Sequence, residues 1–203
     1  MKDIYLDHYK DSIAFHKQKQ ARAPRPLLLK TLNLFGNYVG RAIELGCGSG
    51  SDTIKLLESG WSVCAVDAIP NGFENIKSKI SSHQLSQVEF RQEYFENLTM
   101  SVASADLIYS NLSIPFCRPE RFDEFWTEII RAINVDGRFA GNLFGDKDDW
   151  ADRTDTTFKT KEQVYHLFRD FELEYFDEIL KHGQVGASSV KQWHIFEVIA
   201  RRK

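Results

Sequence analysis

Three glycines, Gly46, Gly48 and Gly50, alternate with other residues between an apolar run and an amphipathic stretch. Glycine adopts a positive φ without strain and has no Cβ, so the backbone there can approach a ligand closely. The first N–H groups of the helix that we expect to follow have no partner within that helix. The segment therefore predicts a binding loop, with a purely structural turn as the alternative. Its G-x-G-x-G spacing differs from the G-x-G-x-x-G of dinucleotide-binding loops.

Two carboxylates accompany this loop. Asp67 follows a second apolar run, Ser62–Val66, and a carboxylate at the end of such a strand can accept hydrogen bonds from both hydroxyls of a ribose. A cap on the helix beginning near Asn71 is the alternative. Glu44 lies inside the preceding apolar run, where an unpaired carboxylate is costly. We expect its partner to be either a cationic amino group reached through the glycine turn or neighbouring backbone N–H groups.

The elements that must position these residues alternate along the chain. Short apolar runs alternate with longer amphipathic stretches, which predicts an α/β fold with a parallel sheet covered by helices on both faces. Pro119–Ile133 carries one apolar helical face, and Thr160 followed by Gln163 is typical of a capping box. The predicted strands are Arg41–Leu45, Ser62–Val66, Val88–Gln92, Ala105–Tyr109, Gly137–Asn142, Glu172–Glu178 and Trp193–Ala200.

Composition excludes several classes of protein. The formal net charge of -3 gives no basic surface for phosphate backbones. No apolar run approaches the length of a membrane span, and the charged N-terminus does not resemble a secretory signal. The three cysteines, Cys47, Cys64 and Cys117, are widely spaced, which favours a reducing compartment and matches no zinc spacing. We expect a cytoplasmic protein without a metal.

A break at Ala21–Pro26 divides the residues before the first predicted strand. We expect a single domain over residues 1–203, in which residues 1–40 form a helical extension and residues 41–203 the binding core. Residues 1–25 carry Tyr5, Tyr9, Phe15 and His16, whose rings are suited to covering an apolar cavity. These residues predict a lid over the site.

Three motifs follow one another in a characteristic order: E-L-G-C-G-S-G at Glu44–Gly50, A-V-D-A at Ala65–Ala68 and D-L-I-Y-S-N-L-S at Asp106–Ser113. In these motifs the chain resembles the class I S-adenosylmethionine-dependent methyltransferases. The resemblance implies a Rossmann-like seven-stranded sheet of order 3-2-1-4-5-7-6, with the last strand antiparallel. It also implies S-adenosylmethionine as cofactor and S-adenosylhomocysteine as its product.

The resemblance further implies which residues contact the cofactor. Gly46, Cys47 and Gly48 would lie near its amino-acid part, Asp67 would hold the ribose, and Ala68 and Ile69 would touch adenine. Tyr94 stands where the family often has Asp, so the residue that contacts adenine stays open among Glu93, Tyr94 and Phe95. The complete predicted set is Glu44, Gly46, Cys47, Gly48, Gly50, Asp67, Ala68, Ile69, Glu93, Tyr94, Phe95, Asn111 and Leu112.

Looser similarity, in Arg22–Phe35, Phe139–Ala151 and Lys191–Lys203, is to the tellurite-resistance-type and related small bacterial methyltransferases. It does not establish tellurite as the substrate. We expect methyl transfer to a small-molecule acceptor by in-line displacement (EC 2.1.1.-), by a monomer or homodimer without nucleic-acid or membrane partners. The alternatives are a cofactor-binding regulatory module without transfer activity and a nicotinamide-dependent oxidoreductase.

The residues that would face the acceptor follow the predicted strand ends, and none is assigned as a base. The principal candidates are Asn111, Asp146, Trp150 and His182, accompanied by Ser113, Phe116, Phe144 and Trp193. His194, inside an apolar strand, is expected to be a core histidine with satisfied hydrogen bonds. Cys117 raises the possibility of a metalloid acceptor, which the lack of a closely spaced cysteine pair disfavours.

Overall fold

The computed structural model describes residues 23–185 and 189–203, and its centre is a mixed sheet. The strands are β1 (Arg41–Leu45), β2 (Ser62–Asp67), β3 (Val88–Gln92), β4 (Ala105–Ser110), β5 (Ile133–Gly145), β6 (Phe158–Lys159), β7 (Phe171–Val185) and β8 (Ser189–Arg202). The helices are α1 (Pro26–Phe35), α2 (Ser51–Glu58), α3 (Asn71–Lys77), α4 (Ser82–Leu85), α5 (Pro119–Ala132) and α6 (Lys161–Leu167). Short 3₁₀ turns occupy Phe95–Asn97 and Ile114–Phe116.

The strand order is β3-β2-β1-β4-β5-β8-β7, with the two-residue β6 paired beside the end of β5. Strands β1 to β5 are parallel to their neighbours among themselves, whereas β8 is antiparallel to both β5 and β7. Apart from β6, this is the order 3-2-1-4-5-7-6 with an antiparallel last strand, so the predicted fold is confirmed. We call the edge at which β1 to β5 end the carboxyl edge.

The last strands are longer than their apolar runs predict. β7 and β8 pair from Phe171 with Arg202 to Val185 with Ser189, well beyond the last β5 pair, Phe144 with Ile195. Backbone hydrogen bonds between two antiparallel strands require no apolar side chains, so the polar half of this hairpin carries no hydrophobic signal. The start of β8 and the end of β7 therefore project at the carboxyl edge.

Two apolar clusters cover the two faces of the sheet. One packs α5 and α6 on the strands around Phe139 and Phe196, and the other packs α1, α2 and α3 around Trp61 and Tyr109. The capping box at Thr160 opens α6 as predicted. Helix α1, which lies within the predicted extension 1–40, buries Leu27 and Leu28 in the second cluster. The proposed lid falls mainly on residues 1–22, outside the described residues.

Candidate functional site

The glycine loop joins β1 to α2, and its three glycines have φ angles of +76°, +53° and +83°. A Cβ at Gly46 would collide with the side chain of Ser113, and one at Gly50 would collide with Ile76 of α3. The sequence prediction placed a ligand against these positions. At Gly46 and Gly50, the missing Cβ instead admits neighbouring protein side chains. Both the backbone conformation and the packing therefore require glycine.

Asp67 ties this loop to the turn after β2. Its Oδ2 accepts a hydrogen bond from the N–H of Gly48 at 2.7 Å, and its Oδ1 accepts one from the N–H of Ile69 at 2.8 Å. Helix α3 has no side-chain cap, so Asp67 is not the helix cap considered as the alternative.

Glu44 is buried, and its Oε2 accepts a hydrogen bond from the Thr53 hydroxyl of α2. This partner is neither the cationic group nor the backbone N–H that the sequence analysis predicted. The pKa of Glu44 is raised well above its usual value by burial and then by the negative charge of Asp52, with a smaller effect of Asp67. The Thr53 hydrogen bond opposes the shift.

Asp52 supplies the second buried carboxylate beside the loop. Its Oδ1 accepts from the Arg25 N–H at 2.8 Å, and its Oδ2 accepts from the Tyr109 hydroxyl at 3.0 Å. Burial raises the pKa of Asp52 despite these hydrogen bonds. Glu44, Asp52 and Asp67 thus place three carboxyl groups around the glycine loop, and a cation bound there would favour their ionised forms. Such a surface favours a cationic ligand.

The cysteine thiols have raised pKa values. Burial, followed by the charges of Asp67 and Glu44, raises the pKa of Cys47 well above its usual value. Burial is also the main cause that raises the pKa of Cys64 to about 11 and that of Cys117 to about 12. All three side chains are therefore neutral thiols near pH 7, a state in which they are weak nucleophiles.

The residues predicted at adenine come together where β2 and β3 end. The N–H of Glu93 donates to the Asp67 carbonyl oxygen at 3.2 Å, and the Glu93 carboxylate accepts from the N–H of Tyr94. The Phe95 ring stacks on Phe125, with centroids 4.9 Å apart, and reaches within 3.7 Å of where a Cβ of Gly46 would stand. Ala68 and Ile69 are half-buried in the adjoining turn.

The loop after β4 is joined to the glycine loop and to β5. Ser110 donates its hydroxyl to the Leu45 carbonyl oxygen at 2.8 Å, and Ser113 donates to the Gly46 carbonyl oxygen at 3.4 Å. Leu112 has φ +55°, and its N–H donates to Oδ1 of the buried Asn142. Asn111 lies between these anchored residues. The loop is thus held next to the predicted cofactor loop.

The acceptor-side candidates separate into two groups. Trp150 packs its indole against Trp193, with centroids 5.6 Å apart. His182 pairs with Gln192 on β7 and β8, so it shares a hairpin face with Gln192, and alternation puts Trp193 on the opposite face. His182 is therefore not brought together with the two indoles. Asp146 is exposed in the loop after β5.

His194, 1% exposed, has both ring nitrogens in hydrogen bonds. Nδ1 accepts from the Lys147 N–H at 3.0 Å, which assigns the proton to Nε2, 3.1 Å from Oε1 of Glu178. The Asp146 carboxylate lies 3.6 Å from the accepting Nδ1. The prediction of a core histidine with satisfied hydrogen bonds is confirmed.

The sequence analysis missed a buried ion pair between Asp148 and Lys191. Asp148 follows β5 and Lys191 begins β8, 43 residues later, so no local pattern joins them. Asp52 offered a weak signal, since acids are common in the first turn of a helix. No pattern in the sequence indicated that Thr53 and Tyr109 would contact these carboxylates.

Within residues 23–185 and 189–203, no group of three or more His, Cys, Asp and Glu side chains is arranged to hold a metal ion. In the same part of the chain, no helix combines the length and hydropathy needed to cross a membrane.

Part of the chain is similar in sequence to known proteins. Residues 42–137 match the family model described as a methyltransferase domain. An uncharacterised methyltransferase of Synechocystis sp. is 24% identical over 100 residues, which are 49% of this chain. The match spans 45% of that relative, less than half its length.

Solved structures share the fold over nearly the whole chain. TehB from Haemophilus influenzae superposes with a TM-score of 0.76 at 15% identity, covering 93% of this chain and 66% of its own. The 1,6-didemethyltoxoflavin-N1-methyltransferase of Burkholderia thailandensis, solved with 1,6-didemethyltoxoflavin and S-adenosylhomocysteine bound, has a TM-score of 0.72 at 22% identity. The match covers 98% of this chain and 85% of that one.

Proposed function

Because residues 42–137 match a methyltransferase-domain model and the chain has the class I methyltransferase fold, we propose that the protein transfers a methyl group from S-adenosylmethionine to a small molecule. One observation carries the proposal. The Asp67 carboxylate, at the end of β2, is held by the N–H groups of Gly48 and Ile69 beside the glycine loop. A carboxylate fixed there is suited to accept hydrogen bonds from a ribose.

The donors and acceptors around the loop fit the cofactor. The Asp67 carboxylate would accept hydrogen bonds from the ribose hydroxyls, and Glu44 and Asp52 would favour the cationic end. Ile69 and Phe95 offer apolar surface to adenine. S-adenosylmethionine would supply an electrophilic methyl group on a sulfonium and would leave as S-adenosylhomocysteine. The predicted cofactor residues stay part of this proposal.

The contribution of the protein to such a reaction is orientation and exclusion of water. Holding an acceptor in line with the methyl group can lower the barrier by ~7–11 kcal/mol. The raised thiol pKa values disfavour an intermediate on Cys47, Cys64 or Cys117. We assign no general base, since soft acceptors need none and His182 lies on the hairpin face opposite to Trp193.

The finer parts of the proposal are the acceptor class, the location and the assembly. The net charge of -3 disfavours a polyanionic acceptor, and the Burkholderia thailandensis relative was solved with a small molecule bound. The free cysteines support a reducing, cytoplasmic location. We propose a monomer or homodimer that acts without nucleic-acid or membrane partners.

Cofactor binding is tested by calorimetry with S-adenosylmethionine, S-adenosylhomocysteine and, for the oxidoreductase alternative, NADH. We expect the first two to bind and NADH not to bind. Asp67→Ala should weaken binding about tenfold or more, because hydrogen bonds to a charged group contribute about 1.5–3 kcal/mol. Asp106→Ala is the matched control: Asp106 also accepts two hydrogen bonds, from Arg41 and Asn134, but at the opposite edge of the sheet. Unchanged binding by folded Asp67→Ala would show that the ribose assignment is wrong.

Transfer is tested by incubating the protein with methyl-labelled S-adenosylmethionine and fractionated cell metabolites. Label should appear in a small molecule. Efficient labelling of purified RNA, DNA or protein, with no metabolite labelled, would refute the acceptor class. Tight cofactor binding with no label transferred to any fraction would favour the regulatory module instead.

A further inference from the structure

An aromatic cluster lies at the carboxyl edge, formed by Phe116, Phe144, Trp150 and Trp193. The rings of Phe116 and Trp193 approach Phe144 edge-on, with centroids 5.8 Å and 5.7 Å away, and Trp150 packs on Trp193 at 5.6 Å. Phe144 is fully buried, whereas both indoles are half-buried and Phe116 is 45% exposed. The cluster therefore packs on the buried ring of Phe144 and leaves part of the Phe116, Trp150 and Trp193 rings exposed.

Lys191 fixes the two indoles from inside the protein. Its Nζ lies 3.9 Å from the ring centroid of Trp150 and 3.8 Å from that of Trp193. Its charge is matched by Asp148, which also accepts hydrogen bonds from the N–H groups of Trp150 and His194. Cation–π contacts and this buried pair hold the rings in one arrangement. The indole rings are therefore already in position before a ligand binds. The ion pair itself presents no unmatched charge to the ligand.

The cluster is connected to the glycine loop through the turn after β4. The Ser113 hydroxyl donates to the Gly46 carbonyl oxygen, and the N–H of Phe116 donates to the Ser113 carbonyl oxygen at 3.0 Å. One turn of chain therefore separates the predicted cofactor loop from the exposed ring of Phe116. An acceptor must lie beside the cofactor, and this is the direction in which the aromatic surface extends.

We infer that Phe116, Trp150 and Trp193 form the acceptor subsite and that it takes a planar aromatic ring. This inference rests on the proposed function. Aromatic rings pair with one another in offset-stacked or edge-on arrangements, with a gain beyond burial of their area. A cationic amine is disfavoured, because the Lys191 ammonium already occupies the cation–π position between the indoles. Lys191 is a positioning residue here.

The test uses 2-naphthol as probe and decahydro-2-naphthol as its saturated counterpart, each added to the protein with S-adenosylhomocysteine present. The chain has four tryptophans, so ¹⁵N-indole spectra give each ring its own signal. The probe should shift the signals of Trp150 and Trp193. Trp61 and Trp126, buried in the two core clusters, are internal controls.

Phe116→Ala should weaken 2-naphthol binding about two- to twelvefold, the effect of one aromatic contact of about 0.5–1.5 kcal/mol. Tyr165→Ala is the matched control, since Tyr165 is also 45% exposed and, among the described residues, also contacts one ring, that of Phe176, on another surface. It should leave binding unchanged. Phe116 is largely exposed, so its truncation should not unfold the protein.

The inference is overturned if 2-naphthol does not shift the Trp150 and Trp193 signals, or if the saturated probe binds equally well. It is also overturned if Phe116→Ala and Tyr165→Ala bind alike. S-adenosylhomocysteine binding is measured separately by calorimetry. Its loss would contradict the proposed function, whereas a failed probe experiment with intact cofactor binding contradicts the subsite alone.

Discussion

At the scale of single residues, the candidate site is defined by carboxylates placed where burial opposes their charge. Glu44 lies inside the sheet, Thr53 is its hydrogen-bond partner, and Asp52 adds a like charge nearby. A buried carboxylate next to another one lowers the stability of the ligand-free protein. A bound cation would relieve that repulsion. We therefore expect this arrangement to lower the stability of the ligand-free protein and to strengthen the binding of a cationic ligand.

We predict that Glu44→Gln stabilises the ligand-free protein at neutral pH and weakens S-adenosylmethionine binding. The folded-state pKa of Glu44 is raised, so between the unfolded pKa and the folded one the native state holds more protons than the unfolded state. Unfolding free energy therefore falls as pH rises through this window. Because Gln does not titrate, the Glu44→Gln variant should lack the part of this fall that Glu44 causes. Its unfolding free energy at neutral pH should be about 1–3 kcal/mol higher, the usual range for relieving a buried, poorly paired group.

Urea denaturation between pH 4 and pH 8 measures this effect. The pKa of Asp52 is raised in the same direction, so some decline persists in the variant. Glu89→Gln, at an exposed carboxylate on β3, is the control and should change stability by less than about 0.5 kcal/mol. Parallel pH profiles for the parent and Glu44→Gln would contradict the assigned cause.

At the scale of elements, the β7–β8 hairpin and the loop after β5 together build the side of the site where we propose that the acceptor binds. The N–H of Gln192 donates to Asp149, and the Asp149 N–H donates to the Gln192 carbonyl oxygen. The buried pair of Asp148 and Lys191 adds a side-chain connection between the same segments. This loop is therefore positioned by the hairpin rather than by its own sequence.

We predict that Lys191→Met destabilises the protein by about 3–5 kcal/mol, because it leaves the Asp148 charge buried without its partner. Adding Asp148→Asn should recover at least half of that loss. Arg41→Met, which breaks an exposed pair with Glu89, should have an effect below about 1 kcal/mol. Chemical denaturation of the parent, Lys191→Met, Asp148→Asn and the double variant gives the double-mutant cycle. Additive losses would show that the pair is not coupled.

At the scale of the whole molecule, both apolar clusters lie within the described residues. Helix α1 belongs to this body, since Leu27 and Leu28 are buried against the sheet and the Arg25 N–H reaches Asp52. The predicted boundary at residue 40 thus separates α1 from the sheet against which it packs. A separate unit before residue 41 would have to give up these contacts.

We predict that residues 23–203 unfold cooperatively with stability near that of the parent, whereas residues 41–203 are several kcal/mol less stable. Burial of each leucine contributes about 1.5–3 kcal/mol. Denaturation of the two truncated proteins measures the difference. Equal stabilities would mean that α1 adds nothing to the core.

The lid predicted for residues 1–25 stays a prediction. A protein lacking residues 1–22 should bind S-adenosylhomocysteine more weakly and transfer methyl groups more slowly, if those residues cover the site. Calorimetry and turnover assays with the parent as reference test this. The lid is refuted if the truncated protein binds and reacts like the full chain.

Local patterns in the chain were sufficient to predict the central strands, the glycine loop and Asp67, because buried strands, positive-φ turns and strand-end acids depend on neighbouring residues. The order of the strands in the sheet came from the resemblance to a known family. The tertiary structure alone decided the partner of Glu44, the packing of Ser113 and Ile76 at the glycines, and the pair of Asp148 with Lys191. It also brought Phe116, Trp150 and Trp193 into one cluster and separated His182 from it. The ion pair and the aromatic cluster join residues far apart in sequence, and only the folding of β4, β5 and β8 side by side brings those residues within reach.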